Sequence, residues 1–232
     1  MTDHPLSTSE LAQRIDHTLL KPTLTDSDLE ALCREAVEYR FKTVCVPPAS
    51  VRTSVALLQG TSVATITVVG FPLGYSTSLS KAAEAEEAIS EGAREIDMVI
   101  NLSYLKSGRW SDVEKDIARV VKACGPVPLK VIIETAYLTE KEKLEAALSS
   151  ERAGAAFVKT STGFASGVAH AGATVEDVQL LRRVLKPSTR IKASGGIRDL
   201  PGARALIAAG ADRLGTSSGV ALIRGLRSEE GY

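Results

Sequence analysis

Three stretches of the chain repeat one pattern of polar and apolar positions. SEGAREIDMVI at 90–100, RAGAAFVKT at 152–160 and AAGADRLGT at 208–216 each close a helix-like run with Gly-Ala, and a short apolar run follows two residues later. Glycine suits the left-handed turn that ends a helix, and a short unbroken apolar run reads as a buried strand. Each stretch therefore predicts a helix-to-strand junction. Gly92, Gly154 and Gly210 recur at roughly twice the ~30 residues of one strand-plus-crossover unit, so a further unit belongs in each gap. PLKVIIE at 128–134 and RIKASG at 190–195 fill those gaps, and 14–20, 41–46 and 62–69 supply three more strands upstream.

Helices are expected between the strands at 26–40, 48–59, 78–91, 111–124, 139–152, 174–185, 199–209 and, shorter, 217–226. Ser and Asp open several, Pro48 falls in a first turn, and Gly or Pro follows many, as helix ends require. Eight strands alternating with eight helices, the strands nearly all apolar, fit a parallel sheet covered on both faces. A closed (β/α)8 TIM barrel suits this count and a chain of 232 residues, with an open doubly wound sheet as the competing arrangement. No linker, charge block or low-complexity segment interrupts the pattern. One domain over 1–232 is expected, ending in a short flexible tail near 227–232.

Composition narrows the choice of partners. The 28 basic and 28 acidic residues balance, so neither nucleic acid nor a membrane surface is an expected partner, and any anion site must be local. Cys33, Cys45 and Cys124 are odd in number and form no CxxC pair, which points to reduced cytosolic thiols rather than disulfides or a zinc site. The polar start MTDHPLSTSE has no signal-peptide pattern, and no apolar run approaches the ~20 residues of a membrane span. A cytoplasmic protein is expected.

In a barrel the chemistry gathers at the C-terminal ends of the strands. Polar residues that interrupt or end the apolar runs are Asp16, Thr18, Cys45, Asp97, Asn101, Glu134, Lys159 with the residues to Thr162, and Lys192 with Ser194. Alternation turns Lys159 away from Val158 and Thr160, and Lys192 away from Ile191 and Ala193, so both lysines face the interior from strands about 4.8 Å apart. Two buried cations repel, and burial itself disfavours charge. Both effects are expected to lower the lysine pKa values and leave neutral amine able to attack a carbonyl carbon. A lone strand lysine more often snorkels or pairs with a carboxylate, and Lys130, near the start of the fifth strand, keeps that reading. Asp97 reads as a counter-ion or a proton relay, and Glu134 as a site residue or a counter-charge. His17 and Cys45 lack a partner signature and are expected to be a hydrogen-bonded histidine and a packed thiol.

ASGGIRD after the seventh strand and LGTSSGVALI after the eighth offer paired glycines and a helix start near Ser217 with free N–H groups. Barrel phosphate sites are often built from these two loops, and STG at 161–163 adds a third wall.

IDHTLLKP, EIDMVIN, FVKTSTGF, IKASGGIR and LGTSSG, in this order across residues 15–219, resemble the motif series of the deoxyribose-phosphate aldolases. The resemblance implies a class I aldolase, without metal or other cofactor, that reversibly cleaves 2-deoxy-D-ribose 5-phosphate to D-glyceraldehyde 3-phosphate and acetaldehyde. It implies Lys159 as the Schiff-base lysine, Lys192 as the second lysine that tunes it, and Asp97 in proton transfer through an ordered water. Thr162, Gly163, Gly195, Gly196, Ile197, Gly215, Ser217 and Ser218 would surround the phosphate, and Asp16 and Thr18 would lie beside the sugar hydroxyls. Phe164 departs from family members that carry lysine after KTSTG, so backbone amides, with Arg198, take more of the phosphate. The resemblance also implies that Tyr232, at the chain end, visits the site and assists proton exchange. Other readings are a Schiff-base barrel aldolase for a different sugar phosphate, an isomerase or synthase working through an acid/base pair, and a non-catalytic sugar-phosphate binding protein. The expected partners are a phosphorylated sugar and an aldehyde, with self-association into a homo-oligomer left open.

Overall fold

The computed structural model describes residues 6–228, so the expected role of Tyr232 and most of the tail lie outside the described residues. A helix α1 (Thr8–Ala12) leads into β1 (Ile15–Thr18), α2 (Asp26–Glu38), β2 (Thr43–Val46), α3 (Val51–Leu57), β3 (Ala64–Val69), α4 (Ser78–Ser90) and β4 (Ile96–Val99). The second half holds α5 (Leu102–Lys106), α6 (Trp110–Cys124), β5 (Leu129–Ile132), α7 (Glu140–Arg152), β6 (Phe157–Lys159), α8 (Val175–Val184), β7 (Arg190–Ser194), α9 (Leu200–Ala208), β8 (Arg213–Thr216) and α10 (Gly219–Ile223). The strands are parallel and follow sequence order around a closed barrel. Because β1 pairs with both β2 and β8, the open sheet is ruled out.

The three Gly-Ala junctions share one hydrogen-bond pattern. Gly92, Gly154 and Gly210 have φ of 109°, 92° and 116°. In each, the glycine amide bonds a carbonyl three residues back and the alanine amide one five residues back, as in Ala93 to Ala88 at 3.0 Å. This double closure satisfies the carbonyls a helix end leaves free and turns the chain into the next strand. A fourth junction of the same type follows α2, where Arg40, at φ 55°, stands in place of glycine. The helix expected at 26–40 and the strand expected at 41–46 do meet here, but with no glycine to mark it the junction falls outside the repeated Gly-Ala pattern.

Two helices went unpredicted because they are short and held by caps. Ser7 and Glu10 form a reciprocal capping box on α1, and Asn101, read above as a strand-end polar residue, accepts from the Tyr104 amide at 3.1 Å to start α5. The helix predicted at 48–59 begins with a 3-10 turn at Pro48–Ser50, and the one predicted at 217–226 is confined to α10. The main apolar core lies between the barrel and its helices, with Ile96, Met98, Val131, Val158 and Ile191 among its fully buried outward-facing strand residues.

One helix carries a buried charge into this layer. Lys81 of α4, fully buried, donates to Asp116 of α6 at 2.7 Å and to the Val99 carbonyl at the end of β4 at 2.9 Å. Burial lowers the Lys81 pKa and raises that of Asp116, so the pair is held together against the cost of desolvation. Lys81→Ala strands both acceptors, and urea unfolding should show a loss of about 3–5 kcal/mol.

Candidate active site

The interior of this barrel is charged where many barrels are aliphatic. Register and alternation bring Asp97, Lys130, Lys159, Lys192 and Arg213 inward together: Asp97 pairs with Lys130, Lys159 with Lys192, and Lys192 with Arg213 across adjacent strands. Asp97 sits at the centre. Its Oδ1 accepts from Lys130 at 2.7 Å, and its Oδ2 accepts from both Lys159 at 2.9 Å and Lys192 at 2.7 Å. Lys192 also pairs with Asp16 at 2.6 Å, and Asp16 binds the Arg213 guanidinium and the Thr43 hydroxyl. Glu95 closes the lower end against Lys130 at 2.6 Å and Arg213 at 3.3 Å.

Four cations thus face three carboxylates in this cluster. It is neutral when one lysine gives up its proton, and the geometry decides which. Burial works against the charge on Lys192, but Asp16 and Asp97 more than offset it and raise its pKa above the ordinary lysine value. Lys159 has Asp97 as its carboxylate partner, shared with Lys192; burial pushes its amine down, Asp97 pulls it up and Lys192 pushes it down again, leaving it lowered. The expectation that both lysines are depressed is therefore corrected for Lys192, whose second carboxylate, Asp16, went uncounted. Burial raises the Asp97 carboxyl, yet Lys130, Lys159 and Lys192 together hold it well below the usual carboxylate range.

Around this centre the mouth has two unlike sides. On one, Leu20, Cys45, Ile66 and Val68 form a small apolar cluster that continues through Phe71 and Phe164, whose rings meet edge-on at 5.3 Å. A cavity of about 480 Å³ opens there between Leu20, the prolines 47 and 48, and the two phenylalanines. Burial raises the Cys45 thiol to about 11, in keeping with a packed thiol. On the other side stand the glycine loops. A side chain at Gly195 would lie 3.4 Å from the Gly163 Cα, so the loops after β6 and β7 touch backbone to backbone. Gly196 and Arg198 are exposed beside a cavity of about 330 Å³ that also reaches Ile197 and Arg227.

Residues 10–225 match the DeoC/LacD family aldolase. A deoxyribose-phosphate aldolase of Methanothermobacter thermautotrophicus is 56% identical over 94% of this chain and 96% of its own length. One from Staphylococcus carnosus is 51% identical over 96% of this chain and 100% of its own. The structure of the deoxyribose phosphate aldolase of Aeropyrum pernix, described as tetrameric, superposes with a TM-score of 0.86 at 36% identity, covering 94% of this chain and 91% of that one. The chain belongs to the DeoC/LacD family of aldolases.

Within this family member the remaining residues named from sequence fall into place unevenly. The Asp16 carboxylate is fully buried and engaged with Lys192, Arg213 and Thr43, and the Thr18 hydroxyl donates to the Asp16 carbonyl at 2.8 Å. Gly215 lies within β8 rather than in the loop after it; a Cβ there would come within 2.6 Å of the Ser194 hydroxyl and 2.9 Å of Lys192, so its bareness makes room for the lysine. Ser217 is half-buried. The Ser218 amide, expected to be free, donates to the Thr216 hydroxyl at 2.9 Å, and that hydroxyl donates to the Ile197 carbonyl at 2.8 Å. His17 meets Glu35 at 2.8 Å and packs against Phe41, a structural role. Lys130 is carboxylate-paired as expected, but one of its partners is Asp97 itself. Sequence reasoning missed Glu95, Thr43 and Arg213. Strand parity would have found Arg213 and Thr43, since Arg213 is in register with Lys192 and Thr43 with Asp16.

Proposed function

We propose that this chain is a class I aldolase that reversibly cleaves 2-deoxy-D-ribose 5-phosphate into D-glyceraldehyde 3-phosphate and acetaldehyde, with Lys159 as the imine-forming lysine. The observation that carries the reading is the contrast between two adjacent lysines on one carboxylate oxygen: Lys192, with a second carboxylate, stays charged, and Lys159 is lowered. The named relatives support the substrate.

The chemistry follows from that contrast. Neutral Lys159 adds to the C1 aldehyde, and loss of water gives a protonated imine. Retro-aldol cleavage must break the C2–C3 bond, since the products hold two and three carbons. The bonding electron pair moves into the imine to form an enamine, and the C3 hydroxyl gives up its proton as it becomes the aldehyde of glyceraldehyde 3-phosphate. Protonation of the enamine at C2 and hydrolysis then release acetaldehyde and free Lys159. Asp97, held ionised by three ammonium groups, accepts and returns protons through the water freed on imine formation. Lys192 keeps Lys159 depressed, and the glycine loops after β6 and β7 receive the phosphate with backbone amides, Arg198 standing nearby.

The whole chain is read as one barrel domain. Among the described residues no helix is long and apolar enough to cross a membrane. A cytoplasmic location is proposed on Cys33, Cys45 and Cys124, which are buried free thiols. A homo-oligomer is proposed from the tetrameric Aeropyrum pernix relative, with the exposed Leu73, Tyr75 and Leu79 as candidate contacts.

Incubation with acetaldehyde and sodium borohydride tests the central assignment. The expected product is an N-ethyl group on Lys159, found by peptide mass spectrometry. An adduct on Lys192, or none at all, would overturn it.

A further inference from the structure

Glu134 follows β5, and its backbone breaks a rule that the fold does not otherwise break without reason. It has φ 54° and ψ 67°, and the other non-glycine residue with positive φ among those described is Arg40, which ends a helix. No helix ends at Glu134, which precedes the 3-10 turn Thr135–Tyr137. The ladder to β6 supplies the cause. The Ile133 amide bonds the Lys159 carbonyl at 2.9 Å, and the Thr135 amide bonds the Thr160 carbonyl at 2.9 Å. Two residues on this strand thus advance against one on its partner, which is a bulge. A bulge re-aims a side chain, and here it directs Glu134 to the loop after β6.

There the carboxylate, 2% exposed, accepts from the Thr162 amide at 3.2 and 3.3 Å and from the Thr162 hydroxyl. That hydroxyl accepts in turn from the Phe164 amide at 2.9 Å. One carboxylate, acting through one hydroxyl, therefore fixes the turn of Thr162, Gly163 and Phe164. The start of the same loop is held separately: the Thr160 hydroxyl donates to the Ser194 carbonyl at 3.3 Å and accepts from its amide at 3.1 Å, and Lys159 is held by Asp97. Release of Glu134 would free the wall facing Gly195 while leaving the imine-forming amine in place.

We propose that Glu134 is a positioning residue that sets substrate affinity by holding the Thr162–Gly163–Phe164 turn against the glycines after β7, and takes no part in proton transfer at Lys159. The inference rests on the reading of Lys159 as the imine-forming lysine and of these loops as the phosphate end. Neither the apolar runs nor the motif spacing marked this role, because a bulge depends on the partner strand.

Glu134→Gly is the decisive variant, since glycine takes a φ of 54° without a Cβ conflict and the fold is retained while the carboxylate is lost. The KM for deoxyribose 5-phosphate should rise about tenfold, the scale of one lost hydrogen bond to a charged group, with kcat changed less than about threefold. The KM for unphosphorylated deoxyribose should stay constant, so that phosphate preference falls by the same factor. Thr162→Val should reproduce the defect, and the double variant should be no worse than either single one. A wild-type KM in Glu134→Gly, or a fall in kcat at constant KM, would overturn the proposal. Borohydride trapping with acetaldehyde keeps the two readings apart. Trapping at Lys159 with an unchanged KM sinks only the role of Glu134, and absence of trapping in the wild type sinks the Lys159 reading while the KM comparison still decides Glu134.

Discussion

Lys159→Ala should lower deoxyribose 5-phosphate cleavage by about 10⁴-fold or more, because the covalent route disappears with the amine and the loss falls on kcat as well as kcat/KM. The fold should survive this change. Removing one of four cations leaves three facing three carboxylates, and Asp97 keeps both Lys130 and Lys192 as partners. A thermal melt close to that of the wild type, combined with loss of cleavage and of borohydride trapping, is the expected result. Cleavage within tenfold of wild type would remove Lys159 from the mechanism. Such a result would also mean that a different group makes the carbonyl electrophilic, since the lowered pKa of Lys159 would then serve no chemical purpose.

The order of strands was readable because three helix-to-strand junctions use glycine, and a left-handed turn there favours it strongly. Arg40 shows the limit of that signal: its turn has the same hydrogen bonds without the residue that announces it. The helices α1 and α5 escaped for a related reason, being single short turns fixed by Ser7 and Asn101 rather than by an apolar stripe. At the site, Lys159 and Lys192 stood out as polar residues inside apolar strands, and alternation turns both inward, while their pairing depends on the register of the two strands. The sign of the Lys192 shift did not follow, because it depends on Asp16 reaching across from β1. Lys130, near the start of the fifth strand, reads as an ordinary carboxylate-paired lysine, yet it binds the same carboxylate as the two lysines. The charges proposed for catalysis and those that only pair form one network here, and strand position alone does not divide them.

That network gives the second large effect its direction. Lys192→Leu removes a cation that pushes the Lys159 pKa down, and it also frees Asp97 Oδ2 to act on Lys159 undivided. Both changes favour the protonated amine, so they add rather than cancel. The nucleophile is the neutral form, which means that kcat/KM rises with pH through the Lys159 pKa of the free enzyme. The acid limb of the pH profile should therefore move to higher pH, and activity at neutral pH should fall by roughly one to two orders of magnitude while recovering in part as the pH is raised. Lys159→Ala, in contrast, should show no recovery at any pH. Measurement of kcat/KM against pH for both variants separates tuning from catalysis. A Lys192→Leu profile that drops uniformly without moving would show that Lys192 contributes its charge or proton directly to the reacting substrate, and one that shifts to lower pH would require the attraction between Lys159 and Asp97 to weaken, contrary to the shared Oδ2 geometry.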